Sequence, residues 1–161
     1  MIATDRNEIR KAQVPHELFL FNLVFNHIFL FIVTISAPSL QFLVAIVPAL
    51  SVLIVGYTLL ATRRAAQAES PFVHSHWRMA KNGSLLLLGV WLFAALFIGA
   101  VLASAGGVPK PWHYAVGSVV FIPTMVFILV LILFGSEALQ HARAGTLPSR
   151  ARRRAAVNPG N

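Results

Sequence analysis

Apolar residues along the chain gather into four long runs, residues 17–36, 40–62, 83–104 and 113–139, and the segments between them carry nearly all of the charge. A helix needs about 20 apolar residues to cross a hydrocarbon layer about 30 Å thick, and each run meets that length. The pattern predicts an all-α integral membrane protein with four transmembrane helices. The Ala37-Pro38-Ser39 turn is short and uncharged, so the first two spans should form a tight hairpin. The loop 105–112, with Gly106, Gly107, Pro109 and Pro111, does the same for the last two, and Trp112 and Tyr114 stand where an aromatic belt belongs. Spans joined in this way run antiparallel and pack as a bundle. Pro48 and Pro123 fall near the middles of the second and fourth spans, where proline removes a backbone hydrogen bond and should kink or loosen the helix.

The flanking segments read differently. Residues 1–15 form a short interfacial segment, with Asp5 and Glu8 at capping-box spacing and Pro15 placed to open the next helix. Ser70-Pro71 is a helix start, Ser as the cap and Pro at the first position. The following stretch, 72–81, puts His74, Arg78 and Lys81 on one face and leaves Phe72, Trp77 and Met79 to dip toward lipid. Residues 1–142 thus make a four-helix transmembrane domain, and 143–161 a basic, disordered cytoplasmic tail. Arg6, Arg10 and Lys11 precede the first run as they would in a signal peptide. That run exceeds the about 7 to 15 apolar residues of such a segment, so a retained helix is expected.

Composition narrows the class. With 57% hydrophobic and 11% charged residues, the chain lacks the polar surface of a water-soluble domain this size. Of thirteen Lys and Arg residues, all but Lys110 lie on residues 1–15, on 63–82 or from Arg143 onward. The positive-inside rule then places both termini in the cytoplasm, with the plasma (inner) membrane as the location. The net charge of +8 is accounted for by this topology and by anionic lipid head groups, which Arg63, Arg64, Arg78, Lys81, Arg150, Arg152, Arg153 and Arg154 would bind, and nucleic acid is not needed to explain it. Without cysteine there is no disulfide, thiolate metal site or covalent c-type haem. Phosphate loops, nucleophile elbows and HExxH motifs are absent, and no Asp, Glu, Lys or Arg lies deep in a span, against an ion-coupled pump or a voltage sensor.

The remaining chemistry is histidine with a few amides and carboxylates. His27 sits near the middle of the first span, with Asn22 and Asn26 beside it on the same helix and His16 about three turns before it. One reading makes His27 a haem b ligand, a quinone contact or a proton relay; the other makes it an interhelical hydrogen-bonding group satisfied by Ser51, Thr124 or Ser118. A bis-histidine haem would need a second imidazole from another subunit or copy. At the inner boundary His16, Glu17, His74, His76, Glu137 and His141 have ligand chemistry for Zn or Fe if the helices converge. Ala95, Gly99 and Ala103 form a small-residue stripe for close helix packing. Packing and anchoring features outnumber reactive ones. The leading expectation is therefore a non-catalytic accessory or assembly subunit that binds lipid and other membrane subunits or further copies of itself and requires no cofactor. The alternatives are a redox subunit, haem b or quinone-handling, and a small transporter or pore hinged at Pro48 and Pro123.

Reporter fusions placed after Arg64 and after Arg154 should both give the cytoplasmic signal, because the cations cluster on those segments. A periplasmic signal at either site would reverse the topology.

Overall fold

The computed structural model describes residues 5–37, 39–40, 45–106, 108 and 110–148. The basic tail residues Arg150, Arg152, Arg153 and Arg154 lie outside the described residues, as do Pro38, Gly107 and Pro109. Among the described residues every element is helical: α1 (Arg6–Phe21), a π-helical segment (Asn22–Leu30), α2 (Phe31–Ser36), α3 (Ile46–Ala68), α4 (Pro71–Ser104) and α5 (Pro111–Arg143). The α1, π and α2 segments follow one another without a break, and with α3, α4 and α5 they supply four helices long and apolar enough to cross a membrane.

The helices start where local chemistry allows. Asp5 caps α1 by accepting from the Asn7 N–H at 3.1 Å. Ser70 caps α4 through a longer bond from the Val73 N–H, with Pro71 in the first position. His113 caps α5, its Nδ1 accepting from the Lys110 N–H at 2.9 Å. Two expected breaks do not occur. Pro15 lies inside α1, and the 72–81 stretch is continuous with the span that follows it, so the interfacial segments and spans are single helices. Pro48 falls in the first turn of α3 as described, where proline is tolerated, whereas Pro123 is inside α5. At 34 residues α4 is about 51 Å long, well beyond the about 30 Å of a hydrocarbon core. One end of the bundle must therefore project from lipid.

The distribution of side chains changes along that length. In the spans the outer surface is apolar, with Leu96 66% and Leu133 70% exposed, while Asn22, Asn26, His27, Ser51, Thr58 and Thr124 are buried. That is the inverse of a water-soluble domain and fits a multi-pass integral membrane protein. At the other end the order is the usual one. Ala12, Ala65, Phe72, Val73, Trp77, Ala142 and Leu147 form a small apolar core, and Lys11 pairs with Glu69 at 2.9 Å on its rim. Phe72 and Trp77, expected to dip toward lipid, are instead part of this core, because the sides of α1, α3 and α5 reach them first. Leu147 corrects the expected start of the tail. Gly145, at φ 65°, turns the chain after α5, the Thr146 N–H returns to the His141 carbonyl at 2.9 Å, and Leu147 folds into the core.

Close packing between spans centres on Phe19. A Cβ at Gly83 of α4 would lie 2.9 Å from Phe19 Cζ, and one at Gly135 of α5 would lie 3.2 Å from Phe19 Cδ1 and 3.0 Å from Leu20 Cδ2. Leu23, Leu87, Ile128 and Leu131 continue the same core toward the middle of the bundle. The stripe expected to do this work, Ala95, Gly99 and Ala103, faces outward, and nothing lies within 4 Å of a Cβ placed at Gly99.

Gly83→Ala and Gly135→Ala should each lower the thermal midpoint in detergent, since overpacking costs about 1 to 3 kcal/mol against a helix-propensity gain of about 1 kcal/mol. Gly89→Ala, with open space around its Cβ, keeps only the gain and should not lower it. Equal midpoints for all three variants would contradict the Phe19 seat.

Candidate functional site

Two groups of buried polar side chains lie on the inward-facing sides of α1 and the π segment, where α3 and α4 meet them. The deeper one is organised by the π segment. Its wider turn places residues five apart next to each other, whereas an α-helix would separate them by about 140°. His27 Nδ1 thereby reaches the Asn22 carbonyl at 2.9 Å. A carbonyl only accepts, so Nδ1 carries the hydrogen and Nε2 presents a lone pair. Asn22 Nδ2 donates to Ser51 Oγ at 3.1 Å, and Asn26 Nδ2 donates to Asn22 Oδ1 at 3.0 Å and to the Val47 carbonyl at 2.9 Å. These bonds tie the first span to α3.

His27 does not use the partners expected from sequence. Ser51 is taken by Asn22 across the helix interface, whereas Thr124 donates to the Val120 carbonyl and Ser118 to the Ala115 carbonyl within their own helix. The His27 ring lies instead beside Trp91 of α4, centroids 5.3 Å apart. His27 Nε2 and Trp91 Nε1 are both buried without a hydrogen-bond partner in the structure. The signal for Trp91 was present in the sequence: it continues the face of His76, Ala80, Ser84 and Leu87 at helical spacing.

The second group lies where the bundle changes from lipid-type to water-type packing. His16 Nε2 and His76 Nδ1 are 2.8 Å apart, one donating and the other accepting, with both rings buried. His141 stands near, bonded through Nδ1 to Thr146 Oγ1 at 3.1 Å and 3.8 Å from Glu137. His76 lies well before the apolar run of α4, and burial pushes its pKa down from the ordinary 6.5 to about 4, the Thr146 backbone opposing that fall and His141 adding to it. His74, on the other side of the helix, is lowered first by burial and then by Arg78 and Lys81, which share its face.

The six-residue metal set does not assemble. Among the described residues no three His, Asp or Glu side chains are grouped to hold a metal ion. Glu17 is exposed, His74 points about 200° away from His76 around α4, and Glu137 is 3.8 Å from His141. Only the His16–His76 pair and its neighbour His141 come together. Arg63 and Arg64 are exposed at the polar end of α3, and Arg78 is exposed on α4.

A feature with no counterpart in the sequence reading lies beside His16. A cavity of about 530 Å³ opens between α1, α4 and α5, with His16, Arg78, Asn82 and Glu137 as its polar lining and Phe19, Leu131 and Phe134 among its apolar walls. Residues from three helices form it, so no single stretch of chain announces it.

No protein-family model, curated protein or solved structure matches the chain. The fold of the described residues defines the class: an all-helical multi-pass membrane protein with a polar end.

The lowered pKa of His76 sets a pH dependence. The unfolded ring takes up a proton near 6.5 and the folded ring only near 4, so its stabilising contribution is full above 6.5 and is lost as pH falls through 4. Thermal midpoints in detergent should drop across that window, and His76→Asn should flatten the drop. An unchanged slope in the variant would assign the effect to another group.

Proposed function

We propose that this protein is a non-catalytic subunit of a larger membrane assembly, an antiparallel four-helix bundle in the plasma (inner) membrane with its polar end in the cytoplasm. The pairings support this arrangement. Residue numbers run in opposite directions between Asn22–Ser51 and Asn26–Val47, and again between Phe19–Gly135 and Phe31–Phe121. They run together between His16–His76 and His27–Trp91. The cations on 63–82 and near both ends favour a cytoplasmic polar end and contact with anionic lipid.

The observation that carries the assembly role is the outward-facing stripe Ala95, Gly99 and Ala103. Among the described residues no helix covers it, and Gly99 has open space where a side chain would begin. Small residues at four-residue spacing let a second helix approach closely, and in lipid such packing is a main source of helix association. A transmembrane helix of a partner subunit fits this face. In mild detergent the native chain should elute as a complex, and Gly99→Leu should elute as a folded lone chain. A native chain that elutes alone, or a variant that keeps its partner, would refute the reading.

A second reading rests on His27. An imidazole fixed through Nδ1–H to a carbonyl, with its Nε2 lone pair free, is the form that binds haem iron or accepts a hydrogen bond from a quinol. No other buried histidine of this chain lies at that depth, so a bis-histidine haem b would take its second ligand from a neighbour. If the assembly role alone is correct, the purified complex is colourless and His27→Gln assembles normally, at a cost of about 1 kcal/mol. A Soret band lost in the variant would give precedence to the redox role.

A further inference from the structure

The cavity beside His16 carries an inference independent of both roles. Its level is set by the sequence: Asn82 and Gly83 stand where the apolar run of α4 begins, and Glu137 near where that of α5 ends. At this level the wall is Phe19, below it Leu131 and Phe134, and Phe134, 54% exposed, continues the wall onto the lipid-facing surface. Above this level the charged and polar groups of the lining, Arg78 and His16, stand among the smaller apolar contacts of Met79, Ala80, Ala138 and Pro148. The opening therefore sits at head-group depth and runs into the acyl region, with a volume inside the range of small-molecule sites, about 300 to 1,000 Å³.

Charge selects among occupants. Arg78 on α4 contributes a guanidinium, and among the described residues no carboxylate pairs with it. Glu137 on α5 contributes a carboxylate whose nearest cationic group is His141 at 3.8 Å, an imidazole that carries charge only when protonated. A ligand bearing phosphate alone would meet Glu137 as a repulsive neighbour, and a ligand bearing only an amine would meet Arg78. A zwitterion with phosphate toward Arg78 and ammonium toward Glu137 satisfies both, and Asn82 and His16 supply neutral polar contacts between them.

We propose that this cavity is a binding site for an aminophospholipid, its phosphate on Arg78, its primary ammonium on Glu137 and one acyl chain along Leu131 and Phe134. A primary ammonium offers three N–H donors to the carboxylate, which a quaternary choline head group lacks. The site thus discriminates phosphatidylethanolamine from phosphatidylcholine at Glu137 and from phosphatidylglycerol by charge.

The test uses the full-length chain purified in mild detergent, with lipid retention read by native mass spectrometry against phosphatidylethanolamine, phosphatidylcholine and phosphatidylglycerol of identical acyl chains. Phosphatidylethanolamine should be retained at least about fivefold over the other two, as one well-placed charge contact implies. Glu137→Gln should remove the preference over phosphatidylcholine, and Arg78→Gln should lower retention of all three. Both side chains are exposed, so the variants should melt with the native chain. Lys110→Gln, remote from the cavity, should bind as native. Soluble glycerophosphoethanolamine at equal concentration should not compete, since it lacks the chain that fills the apolar wall. Equal retention of phosphatidylglycerol, no effect of either cavity variant, a loss equal to that in Lys110→Gln, full competition by the soluble head group, or retention of a quinone in place of phospholipid would each overturn the assignment.

Discussion

The seating of Phe19 against Gly83 and Gly135 fixes the geometry from which the polar features follow. A ring on α1 takes the room that side chains on α4 and α5 would otherwise fill, and the three helices draw together around it. From that fixed point the register of α1 against α4 is determined. Three residues earlier His16 meets His76, and eight residues later His27 meets Trp91. The cavity lies at the same junction, with Phe19, Gly83 and Gly135 all in its wall. In lipid no difference in solvation drives apolar helices together, so close fit at glycine is one of the few forces able to choose this register over a neighbouring one.

The chain also solves two solvation problems in one set of helices. Across the spans polar side chains turn inward and bond within the protein: Asn22 to Ser51 and Asn26 to the Val47 carbonyl across helices, Thr58, Thr62 and Thr124 on their own backbones. Beyond the spans Ala12, Phe72, Trp77 and Leu147 are buried by ordinary hydrophobic burial, with the Lys11–Glu69 pair on the surface contributing at most about 1 kcal/mol. The His16–His76 pair stands at the boundary between the two regimes, and a hydrogen bond shared by two imidazoles persists only while at least one of them is neutral.

The π segment gives the interior its distinctive chemistry. Nine residues of widened helix expose the Asn22 carbonyl to His27, which takes up Nδ1 within the helix and leaves the ring beside Trp91 with Nε2 buried and unbonded. Such segments are uncommon and concentrate at functional sites. The same local geometry keeps the Asn22 and Asn26 amides free to tie α3, so one backbone irregularity serves both the packing of the bundle and the presentation of an imidazole lone pair.

Four apolar runs of membrane-spanning length, the inward need of Asn22, Asn26 and His27 and the caps at Asp5 and Ser70 were all legible in the sequence, because length, periodicity and capping act within a single helix. The continuous α4, the π segment, the buried Phe72 and Trp77 and the return of Leu147 were not. Each depends on which neighbour arrives first at a given face, and a periodic pattern specifies a face without naming what covers it. The small-residue stripe illustrates the difference. Ala95, Gly99 and Ala103 have the spacing of a packing face, yet Gly83 and Gly135, which share no motif, make the close contacts. Sequence alone determined that these helices lie in lipid and which residues avoid it. Tertiary structure decided which residues meet, because in a uniformly apolar solvent partners are chosen by shape and hydrogen bonding between helices, and neither is a property of one helix alone.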